Sequence, residues 1–210
     1  MVLKISNITS VFNLVNRLFG KVRRKIILFT ILFCALAARA QGYLNVDTTE
    51  YIEWNEQRPL SWSDYRYIPQ EGRGNGVYAL TTVFHSVRGG IKNGKPNFQV
   101  KVLYVRKKSW TTTLGNAELL AHEKLHFDLA ELYGRKIRKQ LASLEQQGEA
   151  RMKTYKANIE RLLNDFKITS KTYDEETLHG KIAEAQQEWE EYVSYELARL
   201  NKYININMNK

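Results

Sequence analysis

The chain has 210 residues, and 32 lysines and arginines against 22 aspartates and glutamates give a formal charge of +10. Seven basic residues (Lys4, Arg17, Lys21, Arg23, Arg24, Lys25 and Arg39) and no acidic ones precede residue 41. The rest therefore holds 25 basic and 22 acidic residues, or +3, which removes the charge argument for a nucleic-acid partner. Cys34 is the single cysteine, so residues 41–210 hold no disulfide framework, no thiolate zinc site and no cysteine nucleophile.

In chain order, the basic cluster Lys21–Lys25 precedes an apolar run, Ile26–Ala37, and a small-x-small exit, Ala38-Arg39-Ala40. The run is too short for a spanning helix, which needs about 20 apolar residues. The pattern is that of a signal peptide, residues 1–40, cleaved before Gln41. Phe33 ahead of Cys34 argues against a lipoprotein site. The product is expected to be secreted or periplasmic, without stable membrane insertion, and to form one domain over residues 41–210.

Arg58-Pro59-Leu60-Ser61-Trp62-Ser63-Asp64-Tyr65 reads as an extended segment leading into a short turn. Gly72, Gly74, Asn75 and Gly76 mark a loop. Tyr78–Val87 and Phe98–Val105 read as strands, with turn signals at Gly89-Gly90 and Asn93-Gly94 between them. Asn116 is a candidate N-cap for a helix from Ala117 past Leu141, with Gly134 inside it. Further helices are expected over roughly 150–166 and from Asp174 or Glu175 to about Leu200.

The chain has four histidines, and two of them, His122 and His126, stand four apart in the first helix with Glu123 after the first. Four residues advance a helix by about 400°, so both imidazoles point the same way, one turn apart. They can therefore reach one metal ion. Glu123, about 100° round, can take a proton from water beside that ion. Leu119, Leu129 and Tyr133 share the motif's face and turn it inward.

A catalytic zinc needs a third protein ligand and an open position. Asp128 and Glu131 point away from the histidines and read as hydrogen-bonding or ion-pair groups, Glu131 pairing with Arg135 at i+4 on the helix surface. The third ligand must come from elsewhere. His179 is the leading candidate, because Gly180 beside it lets another element approach. Glu175, Glu176, Glu184 and Glu188 are rivals. His85 reads as strand packing, and Tyr173, Tyr192 and Tyr195 are candidate oxyanion donors.

The central block Ser109-Trp110 with Leu119–Glu131 resembles the domain-of-unknown-function 922 family, bacterial secreted proteins predicted to be zinc-dependent peptidases. Arg58–Tyr65 resembles its N-terminal block. Tyr173-Asp174, Thr177 and His179-Gly180 resemble its C-terminal block. The resemblance implies His122 and His126 as zinc ligands and Glu123 as catalytic base, and it favours His179 as third ligand. Lys124 departs from the small or neutral residue usual there and could alter substrate preference.

The sequence thus predicts an α+β, zincin-like domain, with a small antiparallel sheet packed on the motif helix, a long helical C-terminal half and the last helix closing the site. The expected activity is zinc-dependent hydrolysis of a peptide or protein substrate. Two alternatives are a non-catalytic envelope or interaction protein with a structural zinc, and a zinc hydrolase of a non-peptide amide.

Overall fold

Asn93 and Gly94 both have positive φ, 53° and 73°, the backbone that a two-residue type I′ hairpin turn requires. They join β4 (Val83–Lys92) to β5 (Lys95–Val105), which pair antiparallel from Val83 opposite Tyr104 to Lys92 opposite Lys95. The Gly89-Gly90 turn expected from sequence does not form, because the hairpin turns four residues later. Gly89 instead lies within β4 at φ 118°, where a Cβ would run into the carbonyl of Asn97. This is a close backbone approach that only glycine allows.

The structure, a computed structural model, describes residues 49–68 and 77–204, all within the unit Asp47–Lys210. The expected signal peptide, the Gly72–Gly76 loop and the tail beyond Ile204 lie outside the described residues. A third strand, β1 (Tyr51–Glu53), pairs antiparallel with the other side of β5, giving the order β1-β5-β4. A second small sheet has the order β2-β6-β3. It is built from β2 (Arg66–Tyr67), β3 (Ala79–Leu80) and β6 (Trp110–Thr111), with β2 parallel and β3 antiparallel to β6. The strand expected over Tyr78–Val87 is therefore two strands in two sheets.

The motif helix, α1 (Ala117–Gln146), begins where expected, with the Asn116 side chain accepting from Leu119 N–H at 2.8 Å. It runs between the hairpin sheet and two further helices. Ile52, Val102 and Tyr104 of the sheet pack on Phe127 and Ala130 along one side. Leu125, Leu129, Leu132 and Tyr133 pack on Tyr173, Val193 and Leu200 along the other. Each such side chain removed from water contributes about 1.5–3 kcal/mol. Gly134 is where β5 crosses closest, since a Cβ there would stand 2.5 Å from Val102 Cγ2.

The other helices differ from expectation. α2 spans Met152–Thr177 and α3 spans Ala183–Arg199, so residues 167–173 continue a helix rather than separate two. Tertiary bonds override their poor propensity. Thr169 Oγ1 donates to the carbonyl of Asp165 at 2.9 Å and pairs with Tyr133 Oη at 2.6 Å. α2 ends instead at Leu178, His179 and Gly180, with φ of 45°, 56° and 79°. His179 N–H donates back to Asp174 O and Lys181 N–H to Thr177 O. His179 thus sits in a left-handed turn between α2 and α3, not at a helix start. Among the described residues no helix is long and apolar enough to cross a membrane.

Candidate metal centre

His122, Glu123 and His126 of α1, Ser170 and Asp174 of α2, and His179 and Lys181 of the following turn line one cavity of about 290 Å³. Its remaining wall is Leu119 of α1 and Val77–Thr81, which includes β3. His122 is 1 % exposed and Glu123 4 %. The turn comes this close because Gly180 has no side chain, and a Cβ there would lie 2.7 Å from His122 Cβ.

The outer nitrogen of each motif imidazole has a partner. His122 Nδ1 lies 3.3 Å from Gln186 Oε1. The Gln186 amide is oriented by its Nε2, which donates to Glu190 Oε1 at 2.8 Å. Its oxygen therefore faces His122 Nδ1 as an acceptor. Tyr173 Oη donates to the same Oε1 at 2.7 Å, and the Tyr173 ring stacks on His122 with centroids 4.6 Å apart. His126 Nδ1 lies 3.2 Å from Ser170 Oγ, which can accept its proton.

The inner nitrogens face one point. His122 Nε2 and His126 Nε2 are 3.3 Å apart, and Asp174 Oδ1 lies 3.1 and 3.0 Å from them. Burial opposes ionisation of Asp174, but its hydrogen bonds with His122 and His126 outweigh burial and hold the carboxyl well below the usual carboxylate range. Two ring nitrogens and a carboxylate oxygen thus meet at 3.0–3.3 Å, a set that a metal ion placed among them would bind in place of the protons. These separations match the ~3.3 Å edge of a tetrahedron with metal–nitrogen bonds of ~2.0–2.1 Å. His179 Nδ1 adds a fourth donor 3.3 Å from Asp174 Oδ1, with its side chain 55 % exposed. His122, Asp174 and His179 likewise present donor atoms that all lie within 4.8 Å of one another, so His179 shares the site with the two motif histidines.

Glu123 lies beside this set, and its Oε2 is buried with no hydrogen-bond partner. Leaving such an atom unpaired costs roughly 1–3 kcal/mol or more, the mark of a group kept for a ligand. Burial first, and then the nearby Glu123 charge, push the Tyr65 phenol up, so it stays protonated and pairs with Thr81 Oγ1 at 2.7 Å.

The structure thus brings His122, Glu123, His126 and His179 together, as the sequence predicts. It adds three residues not foreseen at the site: Asp174, which lies closer to both motif histidines than His179 lies to Asp174, and the supporting Gln186 and Ser170. None of the rival glutamates lines the cavity. Glu175 pairs with Lys171 at 3.1 Å, Glu176 accepts from Trp189 Nε1 at 2.8 Å, and Glu184 and Glu188 are exposed on α3. Tyr192 and Tyr195 are exposed outside the cavity, and the buried Tyr173 supports His122 from outside it.

Other residues also fall outside it. His85 packs as expected, its Nε2 donating to Ala130 O at 2.8 Å. Asp128 accepts from Trp54 Nε1 at 2.7 Å. Lys124 and Asp128 line a separate cleft of about 390 Å³ with Arg58, Arg135 and Glu190, so Lys124 does not face the metal cavity. Glu131 does pair with Arg135, but inside rather than on the surface. At 2 % exposure it accepts from Arg135 Nε at 3.0 Å and Arg138 Nη1 at 2.9 Å.

Among the described residues, an α+β fold of two small sheets and three helices, with three histidines, an aspartate and an unpaired glutamate in one cavity, defines a candidate metal-dependent protein. The chain belongs to the DUF922 family, bacterial proteins of unknown function, whose model matches residues 60–180. That segment runs from Leu60 through every strand but β1, and through α1 and α2 to Gly180, so it holds His122, Glu123, His126, Asp174 and His179 and stops short of Lys181 and Gln186. No curated protein and no solved structure matches the chain.

Proposed function

We propose that this protein is a zinc-dependent metallopeptidase of zincin-like architecture, exported by residues 1–40 and acting in the periplasm or outside the cell. The observation that carries it is the convergence of His122 Nε2, His126 Nε2 and Asp174 Oδ1 within 3.0–3.3 Å, beside the unpartnered carboxylate of Glu123. The residues fit zinc: two neutral imidazoles and one carboxylate are a familiar catalytic donor set, with outer nitrogens held by Gln186 and Ser170.

His122, His126 and Asp174 would hold the ion, with His179 as the outermost and most exchangeable donor. Bound there, zinc supplies Lewis acidity and lowers the pKa of water towards about 7. Glu123 accepts the proton that the attacking water loses and delivers it to the departing amine. Gln186 and Tyr173 keep His122 oriented throughout, as Ser170 does His126. β3 ends the β2-β6-β3 sheet, and its outer edge, unpaired among the described residues, would let an extended peptide add as a further strand along the Val77–Thr81 wall.

One observation favours a second reading. Four donors gather at the point, and a zinc held by four protein ligands is structural, a staple between helices in an envelope protein. Purified residues 41–210, with Glu123→Gln and His179→Ala variants, separate the two. The peptidase reading expects about one zinc per chain in all three proteins, hydrolysis of a peptide mixture by the wild type and none by Glu123→Gln. Zinc bound normally by Glu123→Gln with hydrolysis at the wild-type rate refutes the base assignment. Zinc lost from His179→Ala in a protein that never hydrolyses peptides moves the conclusion to the structural staple.

A further inference from the structure

Among the described residues Lys181 is the one lysine or arginine that lines the metal cavity. Its ammonium stands 5.9 Å from the centre of the Tyr78 ring, at the limit of a cation–π contact. No carboxylate of the described residues lies within ion-pairing distance of it. Its backbone is fixed, because Lys181 N–H donates to Thr177 O at 2.8 Å as the chain leaves the left-handed turn. Beside it, Val77, Tyr78 and Leu80 expose 37 %, 39 % and 44 % of their surface. The cavity therefore has an apolar rim on the edge-strand side and, at the end of that rim, a cation that no carboxylate of the described residues neutralises.

We infer that Lys181 selects substrates bearing a carboxylate next to an apolar residue, an inference resting on the peptidase reading. The carboxylate comes either from an acidic side chain or from the C-terminus of the peptide. The apolar residue lies on Val77, Tyr78 and Leu80 while the carboxylate meets the Lys181 ammonium. A neutral peptide of the same shape leaves that cation unpaired and binds more weakly. The preference expected for a half-exposed ion pair is about fivefold.

The test uses zinc-loaded Glu123→Gln protein, in which binding is read without turnover, and three dansyl peptides: Ala-Phe-Gln amide, Ala-Phe-Glu amide and Ala-Phe-Gln with a free carboxylate. Fluorescence anisotropy is expected to give a Kd about fivefold lower for at least one anionic peptide than for the neutral amide. Which one it is identifies the source of the carboxylate. Lys181→Met is expected to level the three, and Lys181→Glu to reverse the order. Equal affinities in the parent protein, no measurable binding of any peptide, or a preference that survives in Lys181→Met overturns the inference. Product formation by the wild-type protein is followed separately by mass spectrometry. Charge-selective binding without cleavage keeps the Lys181 assignment and discards the peptidase.

Discussion

Replacing Gly180 by alanine tests the packing on which the metal centre stands. At φ 79° an alanine must adopt the left-handed conformation, at a cost of about 1 kcal/mol. Its methyl would also lie 2.7 Å from His122 Cβ and 3.0 Å from Cγ, an overlap worth a further ~1–3 kcal/mol. The expected loss in metal-free protein is therefore about 2–4 kcal/mol by urea denaturation. Gly148 supplies the control, because its φ is 71° and nothing lies within 4 Å of an added Cβ. Gly148→Ala is expected to lose only the conformational part, about 1 kcal/mol. The overlap also pushes His122 off its bond to Gln186, so zinc affinity, read by competition with a chelating dye, is expected to fall about 10- to 100-fold in Gly180→Ala alone. Equal stability losses in the two variants, with zinc affinity unchanged in both, would show that the turn does not press on His122.

Four further outcomes follow from the same geometry. Gln186→Leu removes the acceptor for His122 Nδ1 and is expected to weaken zinc binding about 10- to 100-fold with little change in fold; calorimetric titration checks this. Glu131→Ala leaves the Arg135 and Arg138 guanidinium groups buried without their carboxylate, and urea denaturation is expected to show a loss of about 3–5 kcal/mol. Glu196→Ala, which frees the half-exposed Arg199, is expected to lose under about 1 kcal/mol. Burial holds the His85 pKa down at about 4, outweighing the bond to Ala130 O. Between pH 6.5 and 4 the unfolded chain then binds more protons there than the folded one, so stability falls as pH drops through that window, by up to about 3 kcal/mol. His85→Gln is expected to flatten that part of the stability–pH curve, and an unchanged slope would count against it.

What the sequence revealed was local. The i, i+4 histidines, the Asn116 cap and the Asn93-Gly94 turn each act within a few residues, and each appears where the pattern puts it. Asp174 escaped notice for a traceable reason. Lys167-Ile168-Thr169-Ser170-Lys171-Thr172 is polar and β-branched, a poor helix by propensity, so the expected helix stopped at Phe166 and another began at Asp174. Continuous helix puts Ser170 and Asp174 at i, i+4 on the face turned to α1, where one bonds His126 Nδ1 and the other faces both Nε2 atoms. The helix continues through this stretch where Phe166 and Tyr173 pack on α1 and Thr169 bonds Tyr133, contacts made across the fold. Gln186 could not be read either, since its role depends on a turn of three left-handed residues, two of them not glycine. Gly89-Gly90 carried a turn signal, but the close approach of Asn97 is what claims the glycine.

The shell around His122 draws on α1, α2 and α3, over residues 122 to 186, so the motif helix alone does not make the site. A chain emerging from the ribosome has both motif histidines and Glu123 well before it has the partners that orient them. The two imidazoles can turn freely until Ser170, Asp174 and finally Gln186 arrive, about sixty residues later. A nascent or prematurely ended chain can therefore carry the complete motif without the arrangement that makes it a site.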